Sequence, residues 1–181
     1  MKKIVIIVFC ILFTLSVLLF SYRTILSVSN LTPEQQQTIY FLQREEQLSL
    51  NYTFSELSHL QDVKQVMSGV DYAFYSSVLV LLIIAYFNRQ KKRELIQTVR
   101  ISSLITLISL GIISLFILIS FDYSFTLFHQ LFFPRGNWMF SVNSLLIQVF
   151  PIDFFALVGQ NIFVLSLITA LSIYIITRNF K

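Results

Sequence analysis

Residues 88–94, NRQKKRE, carry four basic side chains in seven positions, and long apolar runs flank them on both sides. In a soluble protein such a cluster would suggest nucleic acid. Here the surroundings exclude that reading. The chain has 181 residues, is 56% hydrophobic and only 12% charged, with a mean hydropathy of +0.76. Soluble domains carry about a quarter charged residues. The basic cluster is a topology anchor between two membrane helices.

Working outward from it, four stretches have the length and apolarity to cross a bilayer, which needs roughly 20 apolar residues. They are 4–22, 72–87, 101–121 and 154–177. The second is short and could extend back through Val70 or sit where the bilayer is thin. Lys2 and Lys3 before the first run resemble a signal peptide. The run exceeds the usual signal core, and no small-x-small cleavage site precedes Arg23, so an uncleaved helix is expected. The basic residues Lys2, Lys3, Arg89, Lys91, Lys92, Arg93, Arg100, Arg178 and Lys181 fall on one side. Arg23, Arg44, Lys64 and Arg135 fall on the other, with eight of the nine acids; only Glu94 joins the basic side. By the positive-inside rule the basic side is cytoplasmic. The expected fold is an all-α integral membrane protein, a single membrane domain. It has four transmembrane helices, cytoplasmic termini, a basic cytoplasmic loop 88–100 and two extracytoplasmic loops, 23–71 and 122–153, with short amphipathic or interfacial helices.

The first outer loop is polar. LTPEQQQ offers Thr32 as an N-cap with Pro33 at the first helical position, and a helix is expected toward Gln47. NYTFSELSHLQDVKQVM reads as a second helix. Thr53 and Glu56 form a capping box, and Phe54, Leu57, Leu60, Val63 and Met67 recur at helical spacing. Glu56, His59 and Asp62 share one flank of it. The second outer loop is aromatic. Residues 121–155 hold nine of the 19 Phe and the single Trp. FTLFHQLFFPRGNWMF and LLIQVFPIDFF are expected in the membrane interface. Gly136 supplies a turn, and Pro151 leads the chain into the last helix.

The two histidines, His59 and His129, both fall in outer loops. Histidine transfers protons near neutral pH, and a neighbouring carboxylate can orient one ring nitrogen. A lone loop histidine is more often a solvated bystander. Glu56 and Asp62 can equally be a cap and a solvated charge, and the aromatic run a mere anchor. Ser102, Ser103, Ser109, Gly111 and Ser114 read as helix-packing residues. Cys10, the single cysteine, lies mid-membrane, where a thiol is a poor nucleophile. No Gly-x-Ser-x-Gly elbow, phosphate loop or dinucleotide fingerprint is present, and two histidines without His-Glu-x-x-His spacing make poor metal ligands. No metal and no cofactor are expected.

ELSHLQDVK, followed after two helices by FHQLFFPRGNWMF and LLIQVFPIDFF, resembles the lipoprotein intramolecular transacylase family of Gram-positive bacteria. The resemblance covers nearly the whole chain in order, spacing and topology. It departs at Ser141-Val142, where the family often has an Asp-Pro-like pair, and Ser141 to Ser144 carry no catalytic weight. The family's activity is acyl transfer within one diacylated lipoprotein. The sn-2 acyl chain of the S-diacylglyceryl cysteine moves to that cysteine's α-amino group, giving the N-acyl, S-monoacylglyceryl lyso-form. The nucleophile then belongs to the substrate. On this reading His59 is the general base, oriented by Glu56 or Asp62. His129 stabilises the oxyanion or protonates the leaving oxygen, and the two roles can be exchanged. Arg135, Asn137 and Trp138 line the site, and Lys64 balances charge. Partners are the lipoprotein substrate and membrane lipids, with no nucleic acid. The alternatives are a non-enzymatic membrane scaffold or accessory subunit, and another lipid acyltransferase or hydrolase.

Overall fold

The computed structural model describes residues 1–44 and 48–180. Seven helices follow one another among them: α1 Lys3–Val28, α2 Pro33–Gln43, α3 Phe54–Phe87, α4 Lys92–Ile119, α5 Phe121–Phe132, α6 Leu145–Val149 and α7 Ile152–Arg178. No strand occurs among the described residues. Four of them, α1, α3, α4 and α7, are long and apolar enough to cross a membrane. α1 is the central post, touching α3, α4 and α7, while α4 also packs along α7.

Polar side chains knit this bundle from within. Thr14 and Thr106 hydroxyls meet at 2.9 Å, Ser16 and Ser77 at 2.8 Å, and Ser102 donates to Cys10 Sγ at 3.3 Å. Ser102, Ser103 and Thr106 are fully buried, as small residues at helix contacts should be. Large aliphatic side chains such as Ile11, Leu82, Ile112 and Ile168 point outward, where lipid tails solvate them.

α3 is where the structure departs most from the sequence reading. The expected amphipathic helix and the second membrane helix are one continuous rod of 34 residues. Between Met67 and Tyr72 the chain reads Ser-Gly-Val-Asp, with no proline to break it. The carboxylate of Asp71 is paired with Arg23 of α1, whose guanidinium also donates to Tyr75 Oη. A charged residue is thus held inside the rod without ending it. α1 likewise runs past residue 22 to Val28. α4 begins inside the basic segment, so the tight connection from α3 is only residues 88–91. α2 ends at Gln43; its expected continuation to Gln47 falls outside the described residues.

The caps follow the sequence. Thr32 and Thr53 each close a full capping box, with Gln35 and Glu56 as reciprocal partners. Gly136 has φ +72 and closes the turn through its N–H to Phe133 O at 3.1 Å. Pro151 stands as N-cap of α7.

Beyond one end of the bundle, α2, the first turns of α3 and α6 form a second small core. Leu26, Ile39, Leu42, Tyr52, Leu60, Leu146, Val149 and Phe150 are its buried members. Leu57, Val63 and Met67 pack against it, while Phe54, expected on the same stripe, is 89% exposed. LLIQVF was expected in the membrane interface. Within that stretch Leu146, Val149 and Phe150 fill this core, and Gln35 Nε2 donates to Val149 O at 2.8 Å. The short helix lacks an amphipathic length of its own, so its apolar side chains close the cap. α5 does show an exposed apolar flank, with Tyr123, Leu127, Phe128, Leu131 and Phe132.

Candidate active site

The two histidines come together between α3 and α5. Their ring centroids are 6.3 Å apart and the rings lie 26° from parallel. His59 is buried in the second turn of α3, braced edge-on by Phe133 at 4.8 Å and by Phe140 at 5.6 Å. His129, near the end of α5, packs against Phe125 at 4.1 Å, Trp138 at 4.8 Å and Phe133 at 5.5 Å. Phe133 touches both imidazoles and is 4% exposed. It is the C-cap of α5, so the end of that helix turns this ring back into the site.

The hydrogen bonds separate the two rings chemically. His129 Nδ1 lies 2.8 Å from Phe125 O. A carbonyl only accepts, so Nδ1 carries the proton and Nε2 presents a lone pair. His59 Nδ1 is buried with no partner. Burial pushes His59 down to about 4; the charge of a protonated His129 pushes the same way, and Asp62 opposes both. Burial also lowers His129, and the bond to Phe125 opposes it. Both rings are therefore neutral at physiological pH.

Neither expected carboxylate bonds His59. Glu56 is 1% exposed, and its oxygens are committed elsewhere. One accepts from Thr53 N at 2.7 Å and Thr53 Oγ1 at 2.8 Å, the other from Leu146 N at 2.8 Å. Burial raises its pKa, but these donors outweigh it, so the carboxyl is held below its usual range. Glu56 is a pin between the start of α3 and α6, not an orienter of histidine. Asp62 is closer to the chemistry. Its Oδ1 pairs with Arg135 at 3.0 Å and its Oδ2 accepts from Asn137 Nδ2 at 2.9 Å. Asn137 Nδ2 also lies 3.4 Å from Ser58 Oγ. Trp138 is thus brought against His129, while Arg135 and Asn137 meet Asp62, three residues beyond His59 on α3. Lys64 is not brought to the histidines. It donates to Arg44 O at 3.2 Å and sits over Phe41 at 5.0 Å, on the flank of α3 that faces α2. The charge facing Asp62 is Arg135.

Sequence reasoning missed Ser58, Phe125, Phe133 and Phe140. For Phe125 the signal was available, since it stands four residues before His129 on one helix. Among the described residues no group of three His, Cys, Asp or Glu side chains could hold a metal.

A family model described as lipoprotein intramolecular transacylase Lit matches residues 2–155. The chain belongs to the Lit family. It is an acyltransferase of the membrane, and the scaffold reading falls away. A comparison with curated proteins returns no match. Among solved structures, the membrane-integral Lit of Bacillus cereus is similar. A variant with a histidine replaced by arginine has a TM-score of 0.77 at 19% identity, covering 97% of this chain and 90% of that one. A variant with a histidine replaced by alanine gives 0.78 at 19% identity, with 97% and 91% covered. A third gives 0.76 at 20%, with 97% and 94% covered. At that identity the likeness establishes a shared membrane-integral fold. As a Lit family member, this chain is a lipoprotein intramolecular transacylase.

Proposed function

We propose that this chain moves the sn-2 acyl chain of an S-diacylglyceryl cysteine onto the α-amino group of the same cysteine. The product is the lyso-form, N-acyl and S-monoacylglyceryl. The observation that carries the reading is the pair of neutral histidines facing one another in an aromatic enclosure. Such a pair serves a reaction whose nucleophile arrives with the substrate. An α-amino group has a pKa of about 8, so it must lose a proton to attack.

His129 is the base. Its bond to Phe125 O directs a lone pair from Nε2 outward and supports its basicity. This exchanges the roles expected from sequence, since His59 has no carboxylate to orient it. The neutral His59 N–H stabilises the oxyanion. The amine nitrogen bonds to the ester carbonyl carbon, and the carbon–oxygen bond to sn-2 breaks. A proton leaves the attacking nitrogen for His129, and the imidazolium so formed gives it to the departing glycerol oxygen, which returns both rings to their neutral state. The net change is one proton moved from nitrogen to oxygen, and no co-reactant is consumed. Holding amine and ester together supplies proximity worth roughly 7–11 kcal/mol.

Arg135 and Trp138 line the site, with aromatic rings beside the acyl chains. The basic asymmetry supports cytoplasmic termini and a site on the extracytoplasmic face. The partners are a diacylated lipoprotein and surrounding membrane lipids.

Two lipoproteins with distinct peptides and acyl chains of distinct isotopic mass, mixed with purified enzyme, test this. Every N-acyl product should carry the chain that began on its own glycerol. Frequent crossing of heavy chains onto light peptides would leave an acyl-enzyme or a two-lipid site as the better account.

A further inference from the structure

Asn137 is bound on one side only. Its amide nitrogen donates to Asp62 Oδ2 at 2.9 Å and lies 3.4 Å from Ser58 Oγ. A side-chain amide has two N–H bonds, so both are directed at the protein. Turning the amide over would set its oxygen against the Asp62 carboxylate, which Arg135 holds from the other side. The orientation is therefore fixed by charge. It leaves Asn137 Oδ1 buried and without a partner. Buried acceptors are almost always satisfied, and an orphan needs a reason. A second orphan, His59 Nδ1, lies on α3 three residues before Asp62, on the same flank.

We infer that Asn137 Oδ1 is the acceptor that holds the α-amino group of the lipidated cysteine, with Asp62 as its positioning residue. The inference rests on the transacylase chemistry proposed above. The donors and acceptors of the substrate select this match. The ester, the thioether and the acyl chains have no N–H or O–H to give. The α-amino group has up to three, enough for an acceptor, a neighbouring histidine and the base. With both amide hydrogens directed at the protein, Asn137 does not serve the oxyanion. Its place is on the nucleophile's side, where it holds the amine before His129 removes a proton.

The test uses full-length enzyme in micelles and two unreactive probes. One is a dialkylglyceryl diether cysteine peptide with a free amine; the other is its desamino counterpart. Wild type should prefer the amine probe by about ten- to a hundredfold, the worth of a hydrogen bond to a charged group. Asn137→Leu should bind the desamino probe as wild type does and lose the preference. Asp62→Asn removes the charge that fixes the amide, and the preference should fall to a few-fold with desamino binding intact. A wild type with no preference, or an Asn137→Leu protein that keeps it, overturns the inference. Should Asn137→Leu bind neither probe, Asp62→Asn decides: full preference there overturns the inference, and reduced preference supports it. The ester-bearing peptide is assayed in parallel. Failure of wild type to convert it strikes the proposed chemistry, whereas conversion with unchanged preferences strikes only the role of Asn137.

Discussion

Glu56 and Leu146 are joined by a 2.8 Å hydrogen bond from the backbone N–H of one to the buried carboxylate of the other. The bond fastens α6 to the start of α3. The segment that links α6 back to α5 carries Asn137, Trp138 and Phe140, so this fastening holds that segment over the histidines.

Glu56→Gln is expected to destabilise the protein by about 1–3 kcal/mol at neutral pH, because either turn of the amide sets its NH2 against a backbone donor. The folded pKa of Glu56 lies below its ordinary 4.5. Its contribution is therefore complete above pH 4.5 and lost as pH falls through the folded value. Thermal unfolding in micelles should show the gap between wild type and Glu56→Gln narrowing only below pH 4.5. A constant gap from pH 7 down to pH 3 would contradict this.

Two histidines in the chain make a clean spectrum. With 15N-labelled histidine, His129 should show a protonated Nδ1 and an unprotonated Nε2 at pH 7. Both rings should gain charge only below pH 6.5, with His59 titrating near 4. Titration of both rings at 6.5 would mean that the site is open to water.

Lys64→Ala should leave transacylation within about twofold, the scale of an exposed charge change. Its ammonium is engaged with Arg44 O and Phe41, away from the imidazoles. Initial rates on a diacylated lipopeptide measure this, and a hundredfold loss would restore Lys64 to the site.

A cysteine at Gln36 should react with a membrane-impermeant thiol reagent on protoplasts, and one at Gln90 should not. Labelling confined to position 90 would put both histidines on the cytosolic side.

Much of this fold could be read from the chain because its signals are local. Thr53 and Glu56 announce a helix start three residues apart, Gly136 announces a left-handed turn, and the apolar runs announce the bundle. What escaped depends on distant partners. The second oxygen of Glu56 is claimed by a backbone N–H from another helix, so the sequence left it free to serve His59. Nothing in LLIQVF separates a membrane-facing helix from one that fills a core; Leu146 and Val149 are buried because α2 and α3 converge there. The two expected helices fuse into α3 with Asp71 inside the rod paired to Arg23 of α1, a partner 48 residues away in sequence. Phe133 was one of two adjacent phenylalanines, and only the backbone at the end of α5 selects which ring turns inward.

The central claim is that the imidazoles of His59 and His129, 6.3 Å apart, serve acyl migration together, His129 moving the proton and His59 holding the oxyanion. The most direct measurement is the rate of N-acyl product formation, by mass spectrometry, for purified His59→Ala and His129→Ala proteins whose thermal unfolding matches wild type. Each should lose about 10² to 10⁴ in rate, the usual worth of a positioned base or an oxyanion donor. A wild-type rate in either folded variant would remove that histidine from the chemistry and contradict the account.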